Sequence, residues 1–190
     1  MIRHLVFLLE EPSAKDLLQG VLPKLLPQAV VVHYLVFDGK QDLEGQLVRK
    51  LRGWRIPHSM FVVLRDQDAA DCGVVKARLR KLVADAGREA TLVRIACREL
   101  EAWVVGDWQA VGDAFERPEL HAQRLKEVHR APDRLVRPVE ALRKFIPEYQ
   151  KRDGARRVGP LLDPARSQSD SFRAFCNGVQ RLVNTQASDA

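Results

Sequence analysis

The 190-residue chain contains 46% hydrophobic and 29% charged residues, the composition of one globular core, which excludes an intrinsically disordered protein. Its longest apolar stretches, such as residues 30–37, are far shorter than the roughly 20 residues of a membrane-spanning helix, and its three cysteines lack zinc-site or redox spacing, so we expect a cytoplasmic protein. The net charge of +6 is concentrated in residues 117–157, where twelve Lys or Arg accompany six Asp or Glu.

The first 105 residues alternate between apolar runs and amphipathic segments. Strands are predicted over residues 2–9, 30–37, 60–64 and 91–97. The first two read as strands buried on both faces, because they are apolar almost throughout. Helices are predicted after each strand from the spacing of leucine and valine, and Pro23 is expected to break the first helix.

This alternation predicts an α/β fold with a mostly parallel four-stranded sheet and helices on both faces. We expect residues 1–106 to form this α/β core. Residues 107–190 are expected to form a helical, basic extension packed on the core. Helices in this second part are predicted near residues 108–115, 120–128, 139–145 and 172–183.

Carboxylates follow three of the four predicted strands. They are Glu10 and Glu11 after the first strand, Asp66 and Asp68 after the third, and Glu99 and Glu101 after the fourth. In open parallel sheets the ligands bind at the carboxyl ends of the strands, so these side chains are expected to lie together. Their mutual repulsion calls for a divalent cation, and carboxylate oxygens suit Mg²⁺ or Mn²⁺. The pattern favours phosphoryl or phosphodiester chemistry.

Each of these residues also has an ordinary structural interpretation. An Asp-x-Asp pair in extended backbone places Asp66 and Asp68 on one face, but both are also common turn or capping residues. On a helix Glu99 and Glu101 would diverge by roughly 200°, so only one would face the metal unless the backbone there is extended. We favour Glu101 as the ligand and keep Glu99 as its substitute; the alternative is that the acid stabilises a helix N-terminus.

Two segments resemble the Toprim domain: residues 8–14 resemble its first-strand motif, and residues 62–68 its Asp-x-Asp strand. A fuller resemblance is to the Toprim-like family called domain of unknown function 4276. It runs through Glu-Pro-Ser-Ala-Lys, Leu-Arg-Asp-Gln-Asp and Glu-Leu-Glu-Ala-Trp, and covers most of the chain. The resemblance implies a Toprim-like, Rossmann-like fold, with Glu10 as the metal-linked general acid/base and Asp66 and Asp68 as metal ligands. Glu11 departs from the glycine of many Toprim motifs.

Toprim domains occur in topoisomerases, primases and nucleases of the OLD (overcoming lysogenization defect) type. The resemblance therefore implies a metal-dependent nuclease or related phosphodiesterase. Hydrolysis of a nucleic-acid phosphodiester by metal-activated water is the simplest activity of this kind. It also implies an ATPase protein partner in a defence or repair system.

The basic segment points to DNA or RNA as the partner. Its Lys and Arg residues, with Phe145 and Tyr149 interleaved, suit contacts with phosphates and stacking on a base. Lys151 is our candidate for stabilising negative charge in the transition state, opposite the metal. A solvated basic surface is the alternative interpretation of the same segment.

Two other functions remain open. The first is a non-catalytic nucleic-acid-binding or assembly subunit that uses the basic segment, with structural acids. The second is a receiver-like signalling domain, which also places acids after its first and third strands. A receiver needs a Ser or Thr at the end of the fourth strand, where this sequence continues into Arg98 and Glu99.

Overall fold

The structure, a computed structural model, describes residues 2–184. Its strands are β1 (His4–Leu9), β2 (Val31–Val36), β3 (Ser59–Asp66) and β4 (Leu92–Ala96). Its α-helices are α1 (Pro12–Val21), α2 (Gly39–Gly53), α3 (Cys72–Asp85), α4 (Glu101–Val105), α5 (Trp108–Ala114), α6 (Pro138–Arg143), α7 (Lys151–Val158) and α8 (Asp170–Asn184). Short 3₁₀ helices cover Leu22–Lys24, Pro118–Leu125, Glu127–His129, Pro132–Arg134 and Gly159–Leu161.

The four strands form one all-parallel sheet in the order β2-β1-β3-β4. β1 lies inside the sheet and pairs with β2 through His4 and Val31 and with β3 through His4 and Ser59. The five residues from Leu5 to Leu9 are fully buried, as expected for a central parallel strand covered on both faces. The predicted α/β class with a four-stranded sheet flanked by helices is confirmed, and the arrangement is Rossmann-like.

β2 differs from its prediction as a strand buried on both faces. It lies at the edge of the sheet, where Val31 and Val36 are 50% and 37% exposed. A continuous apolar run does not distinguish a central strand from an edge strand, because that position depends on the order of the strands and not on their local sequence.

Successive residues of the strands enter two separate hydrophobic layers. Leu5 and Phe7 of β1 face a large layer with α1, α4, α5, α7 and α8, while Val6 and Leu8 face a smaller layer with α2 and α3. This division follows from the alternation of side chains along a strand. Both faces of the sheet are therefore covered by helices.

The residues after 107 belong to the same core as the sheet. Trp108, Phe172 and Phe175 are fully buried in the layer that contains Leu5 and Phe7. The boundary at residue 106 stays a prediction. Within residues 2–184, every helix is too short or too polar to cross a lipid bilayer.

Two features of this second half differ from the sequence prediction. The segment predicted as a helix over residues 120–128 forms 3₁₀ turns instead. Helix α7 was not predicted, because five of its eight residues are charged and its buried residues include the small Gly154 and Ala155. Neither segment carries the long apolar stripe that identifies an amphipathic helix.

A close backbone contact joins α1 to the end of α7. A methyl group on Gly20 of α1 would overlap the backbone nitrogen of Pro160, and one on Gly159 would lie 2.6 Å from the carbonyl oxygen of Leu17. Lys24 adds hydrogen bonds from its ammonium to the carbonyl oxygens of Pro160, at 2.8 Å, and Leu162, at 2.5 Å. The contact fixes α7, which begins at Lys151, against α1, which begins directly after Glu11.

We expect Gly20→Ala to lower the free energy of unfolding by about 2 kcal/mol, because the added methyl group meets backbone atoms that have no room to move. Gly45→Ala in α2 is the matched control. Within residues 2–184, no atom beyond its chain neighbours and the adjacent backbone of α2 lies within 4 Å of the added methyl group, so alanine should stabilise the helix by about 0.5–1 kcal/mol. Urea unfolding measures the free energy of unfolding of both variants. Equal values for Gly20→Ala and Gly45→Ala would contradict the close contact between α1 and Pro160.

Candidate functional site

Five carboxylates from three strand ends gather at one edge of the sheet and form what we call the carboxylate cluster: Glu10, Glu11, Asp66, Glu99 and Glu101. Lys151 is the cation among them. Its ammonium nitrogen lies 3.4 Å from Glu101 Oε2, 3.7 Å from Glu99 Oε2 and 4.0 Å from Glu11 Oε1. Carboxylates from separate strands and a lysine from the second half of the chain therefore share one small volume.

Glu101 is the most deeply placed acid of the carboxylate cluster. Its side chain is 2% exposed, and its Oε2 atom is buried without a hydrogen-bond partner in the part of the chain that the structure describes. Burial raises the pKa of Glu101 to about 7, against the opposing attraction of Lys151. The same oxygen lies 3.4 Å from the Lys151 ammonium, so its charge is compensated by an ion pair without a hydrogen bond.

Asp66 is the last residue of β3 and is 9% exposed. Burial raises its pKa well above the ordinary value, and the negative charges of Glu11, Glu101 and Glu10 raise it further. Lys151 acts in the opposite direction but does not cancel these effects. The repulsion expected from the sequence is thus present at Asp66.

Glu10 links the two sides of β3. Its Oε2 atom accepts a hydrogen bond from the backbone N–H of Asp66 at 3.1 Å and lies 3.7 Å from Arg65 Nε. Burial raises the pKa of Glu10, while the Asp66 hydrogen bond acts against that rise. Glu10 is therefore held at the edge of the carboxylate cluster nearest Arg65.

Lys151 is the first residue of α7, where the α1 contact holds it against the acids. Burial by itself would lower the pKa of Lys151, but the surrounding charges of Glu101, Glu11 and Glu99 raise it above its ordinary value. The side chain therefore stays protonated at neutral pH. The structure places both Glu99 and Glu101 beside it, because α4 begins only at Glu101 and the helical divergence considered for this pair does not apply.

Asp68 lies outside this group. Its Oδ2 atom is 2.8 Å from Lys40 Nζ and 3.9 Å from an Arg65 nitrogen. The extended backbone assumed for the Asp-x-Asp pair is wrong, since Asp68 has a φ of 57°, in the left-handed region. Within residues 2–184, no group of three or more His, Cys, Asp or Glu side chains is arranged to hold a metal ion. The predicted trio of Glu10, Asp66 and Asp68 is not brought onto one point.

Glu11 and Arg65 were not among the predicted site residues. Glu11 contacts Lys151 and also accepts a hydrogen bond from the Ser13 hydroxyl. Arg65 is 6% exposed and forms an ion pair with Glu44 of α2 at 2.7 Å. An arginine at the end of an apolar strand was the available signal, because a buried guanidinium requires acidic partners.

The chemistry of these side chains fits a hard divalent cation. Carboxylate oxygens are the ligands that Mg²⁺ and Mn²⁺ prefer, and the buried Glu101 Oε2 atom, which has an ion pair with Lys151 but no hydrogen bond, adds to that fit. Asp66, Glu101, Glu99 and Glu10 are the residues that could hold such an ion. Their present arrangement uses the Lys151 ammonium as the compensating charge.

A model of the family described as Domain of unknown function (DUF4276) matches residues 9–180. The match includes the whole carboxylate cluster and Lys151. No curated protein and no solved structure matches the chain.

We expect the free energy of unfolding to fall as the pH rises from 5 to 8. The pKa of Glu101 is raised in the folded state, so its contribution is present below pH 4.5 and is lost as the pH passes about 7, at a cost on the order of 3 kcal/mol. Glu101→Gln should remove much of this slope, because glutamine resembles the protonated acid. Urea unfolding between pH 5 and pH 8 measures it.

The control for this experiment is Glu89→Gln. Glu89 is exposed in the loop before β4, at the amino ends of the strands and not at their carboxyl ends. The Glu89→Gln variant should therefore keep the wild-type dependence of stability on pH. Parallel pH profiles for the wild type and Glu101→Gln would contradict the assignment of the raised pKa to Glu101.

Proposed function

Because this chain belongs to the DUF4276 family, whose description gives no activity, we propose one from its own residues: divalent-metal-dependent hydrolysis of a phosphodiester bond in nucleic acid. The observation that carries the proposal is the pair of buried acids, Asp66 and Glu101, whose pKa values are raised at the carboxyl edge of a parallel sheet. Acids with raised pKa values are typical of functional sites, and open α/β sheets bind their ligands at the carboxyl ends of the strands.

We propose Asp66 and Glu101 as the main ligands of Mg²⁺ or Mn²⁺, with Glu10 and Glu99 beside them. The chemistry supplied by such an ion is polarisation of a phosphoryl oxygen and acidification of water. A ligand role for Asp68 requires its carboxylate to leave Lys40 and Arg65, so we place it after the other four acids.

The remaining roles belong to side chains of the chain itself. Glu10 is proposed to accept a proton from the attacking water, since it lies at the rim of the carboxylate cluster with a raised pKa. Lys151 is proposed to stabilise the negative charge that develops on the phosphoryl oxygens, since its ammonium stays protonated among the acids. The Toprim relationship remains a prediction; it implies the role given to Glu10 and ligand roles for Asp66 and Asp68.

We also propose DNA or RNA as the substrate, because the basic residues between 117 and 157 include Lys151 and three arginines of the same helix, Arg152, Arg156 and Arg157. An ATPase protein partner in a defence or repair system is proposed on the resemblance to Toprim proteins alone, and a cytoplasmic location remains the expectation from the sequence.

A second candidate is a non-catalytic nucleic-acid-binding or assembly subunit. The ion pairs of Lys151 with Glu11, Glu99 and Glu101 favour it, because they compensate part of the acidic charge without a metal. A receiver-like role has weaker support, since β4 is followed by Cys97, Arg98 and Glu99 where a receiver needs Ser or Thr.

Metal binding gives a test that does not depend on catalysis. We expect Mn²⁺ to bind the wild-type chain and to raise its melting temperature more at pH 8 than at pH 6, because protons compete for the raised-pKa acids. Asp66→Asn and Glu101→Gln should weaken Mn²⁺ binding by about tenfold or more. Isothermal titration calorimetry measures the affinity, and Glu89→Gln should bind as the wild type does. Equal affinities for all four proteins would contradict the proposed ligands.

Cleavage is tested with single- and double-stranded DNA and RNA in Mg²⁺ or Mn²⁺. We expect the wild type to cleave at least one of them, and Asp66→Asn and Glu101→Gln to lose at least about 100-fold of that rate. Lys151→Met should lower kcat more than it raises KM. Glu89→Gln should retain full activity, and EDTA should abolish it. Tight binding without cleavage of any substrate in either metal would favour the second candidate.

A further inference from the structure

We infer that a cleft beside Lys151 binds the phosphate groups of the substrate, with Arg143 as its main anion-binding side chain. The cleft has a volume of about 770 Å³, and its charged lining consists of Glu99, Arg137, Glu140, Arg143, Lys151 and Arg152. This inference rests on the proposed function and identifies the surface on which the substrate lies.

The cleft is continuous with the carboxylate cluster. Glu99 and Lys151 line the cleft and also form the 3.7 Å ion pair within the cluster. A phosphate held in the cleft would therefore lie beside the acids proposed to act on it. The four cations of the lining exceed its two acids, so the cleft favours an anion although its inner end is acidic.

The basic side chains of the cleft differ in how far their charge is already compensated. Arg152 donates to Asp16 at 2.7 Å, and Arg137 donates to Glu140 at 3.0 Å. Lys151 is surrounded by the cluster. These three cations are therefore already paired with acidic side chains.

Arg143 is the exception. Its Nε atom donates to the carbonyl oxygen of Tyr149 at 3.2 Å, and its guanidinium forms no ion pair with any residue between 2 and 184. The hydrogen bond from Nε fixes one edge of the guanidinium. Its terminal nitrogens keep their donors for a phosphate, whose oxygens match the planar fork of arginine. Arg143 would thus recognise a phosphate group, either in a nucleic-acid backbone or at the end of a nucleotide.

Arg130 supplies a matched control in the same basic segment. It is exposed, and its terminal nitrogen donates to the carbonyl oxygen of Leu125 at 3.4 Å. It does not line the cleft. Removing Arg143 or Arg130 therefore deletes the same charge and a similar backbone hydrogen bond, but only one of the two changes alters the cleft.

The test measures binding of fluorescent DNA and RNA oligonucleotides in EDTA, where metal-dependent cleavage does not occur. We expect Arg143→Ala to weaken binding about tenfold and to reduce the slope of log K against log salt by about 0.7. Arg130→Ala should change the affinity less than twofold and leave the slope as it is. If a mononucleotide displaces the oligonucleotide and inorganic phosphate does not, the cleft recognises the end of a nucleotide. If neither displaces it, the cleft recognises the nucleic-acid backbone. Both results support phosphate binding in the cleft.

The Arg143→Gln variant distinguishes a loss of binding from a loss of folding, because its side-chain amide can still donate a hydrogen bond to the Tyr149 carbonyl oxygen. It should bind as weakly as Arg143→Ala while unfolding at the wild-type urea concentration. Equal weakening by the Arg143 and Arg130 variants, or no oligonucleotide binding by the wild type, would overturn the inference. Arg143-dependent binding without cleavage in any metal would refute the proposed function and leave the cleft standing. Cleavage by the Arg143→Gln variant with an unchanged KM would refute the role of the cleft and leave the proposed function standing.

Discussion

Acidic side chains buried together at the carboxyl edge of a sheet require a positive charge, and in this chain Lys151 supplies it. Its ammonium contacts Glu11, Glu99 and Glu101, and its charge also acts on Asp66. One cation does not compensate all of these acids, which is why the pKa values of Asp66 and Glu101 remain raised. The backbone contact between α1 and the end of α7 is the structural basis of this arrangement, since it holds the lysine against the strand ends.

The end of β3 separates two groups of charges. Arg65 and Asp66 are successive residues of a strand, so their side chains point to opposite faces of the sheet. Arg65 pairs with Glu44 on the α2 side, while Asp66 faces the acids around Lys151. Glu10 contacts both groups through the Asp66 backbone and Arg65. A single dipeptide thus directs a guanidinium to one face of the sheet and a carboxylate to the other, at the edge where ligands bind in this class of fold.

The acids and the basic segment have complementary parts in the proposed reaction. Carboxylates alone would repel a polyanionic substrate, so a nuclease of this kind needs cations that face the substrate next to its metal-binding acids. The cleft lined by Arg143 meets this requirement, and Lys151 belongs to both regions. In the proposed reaction, the charge concentrated in residues 117–157 would hold the substrate beside the acids as well as attract it.

Local sequence patterns determined the four strands, the helices between them, the parallel sheet and the presence of acids at its carboxyl edge, because hydrophobic periodicity and chain order follow from neighbouring residues. Tertiary structure alone decided that β2 lies at the edge and that Lys151 meets Glu101, because contacts between distant segments leave no periodic signal. It also decided the separation of Asp68 from Asp66, since a left-handed φ at a single aspartate depends on the loops packed around it. Four acids of the carboxylate cluster and its cation, Lys151, were therefore among the predicted site residues, whereas the inclusion of Glu11 and the separation of Asp68 required the fold.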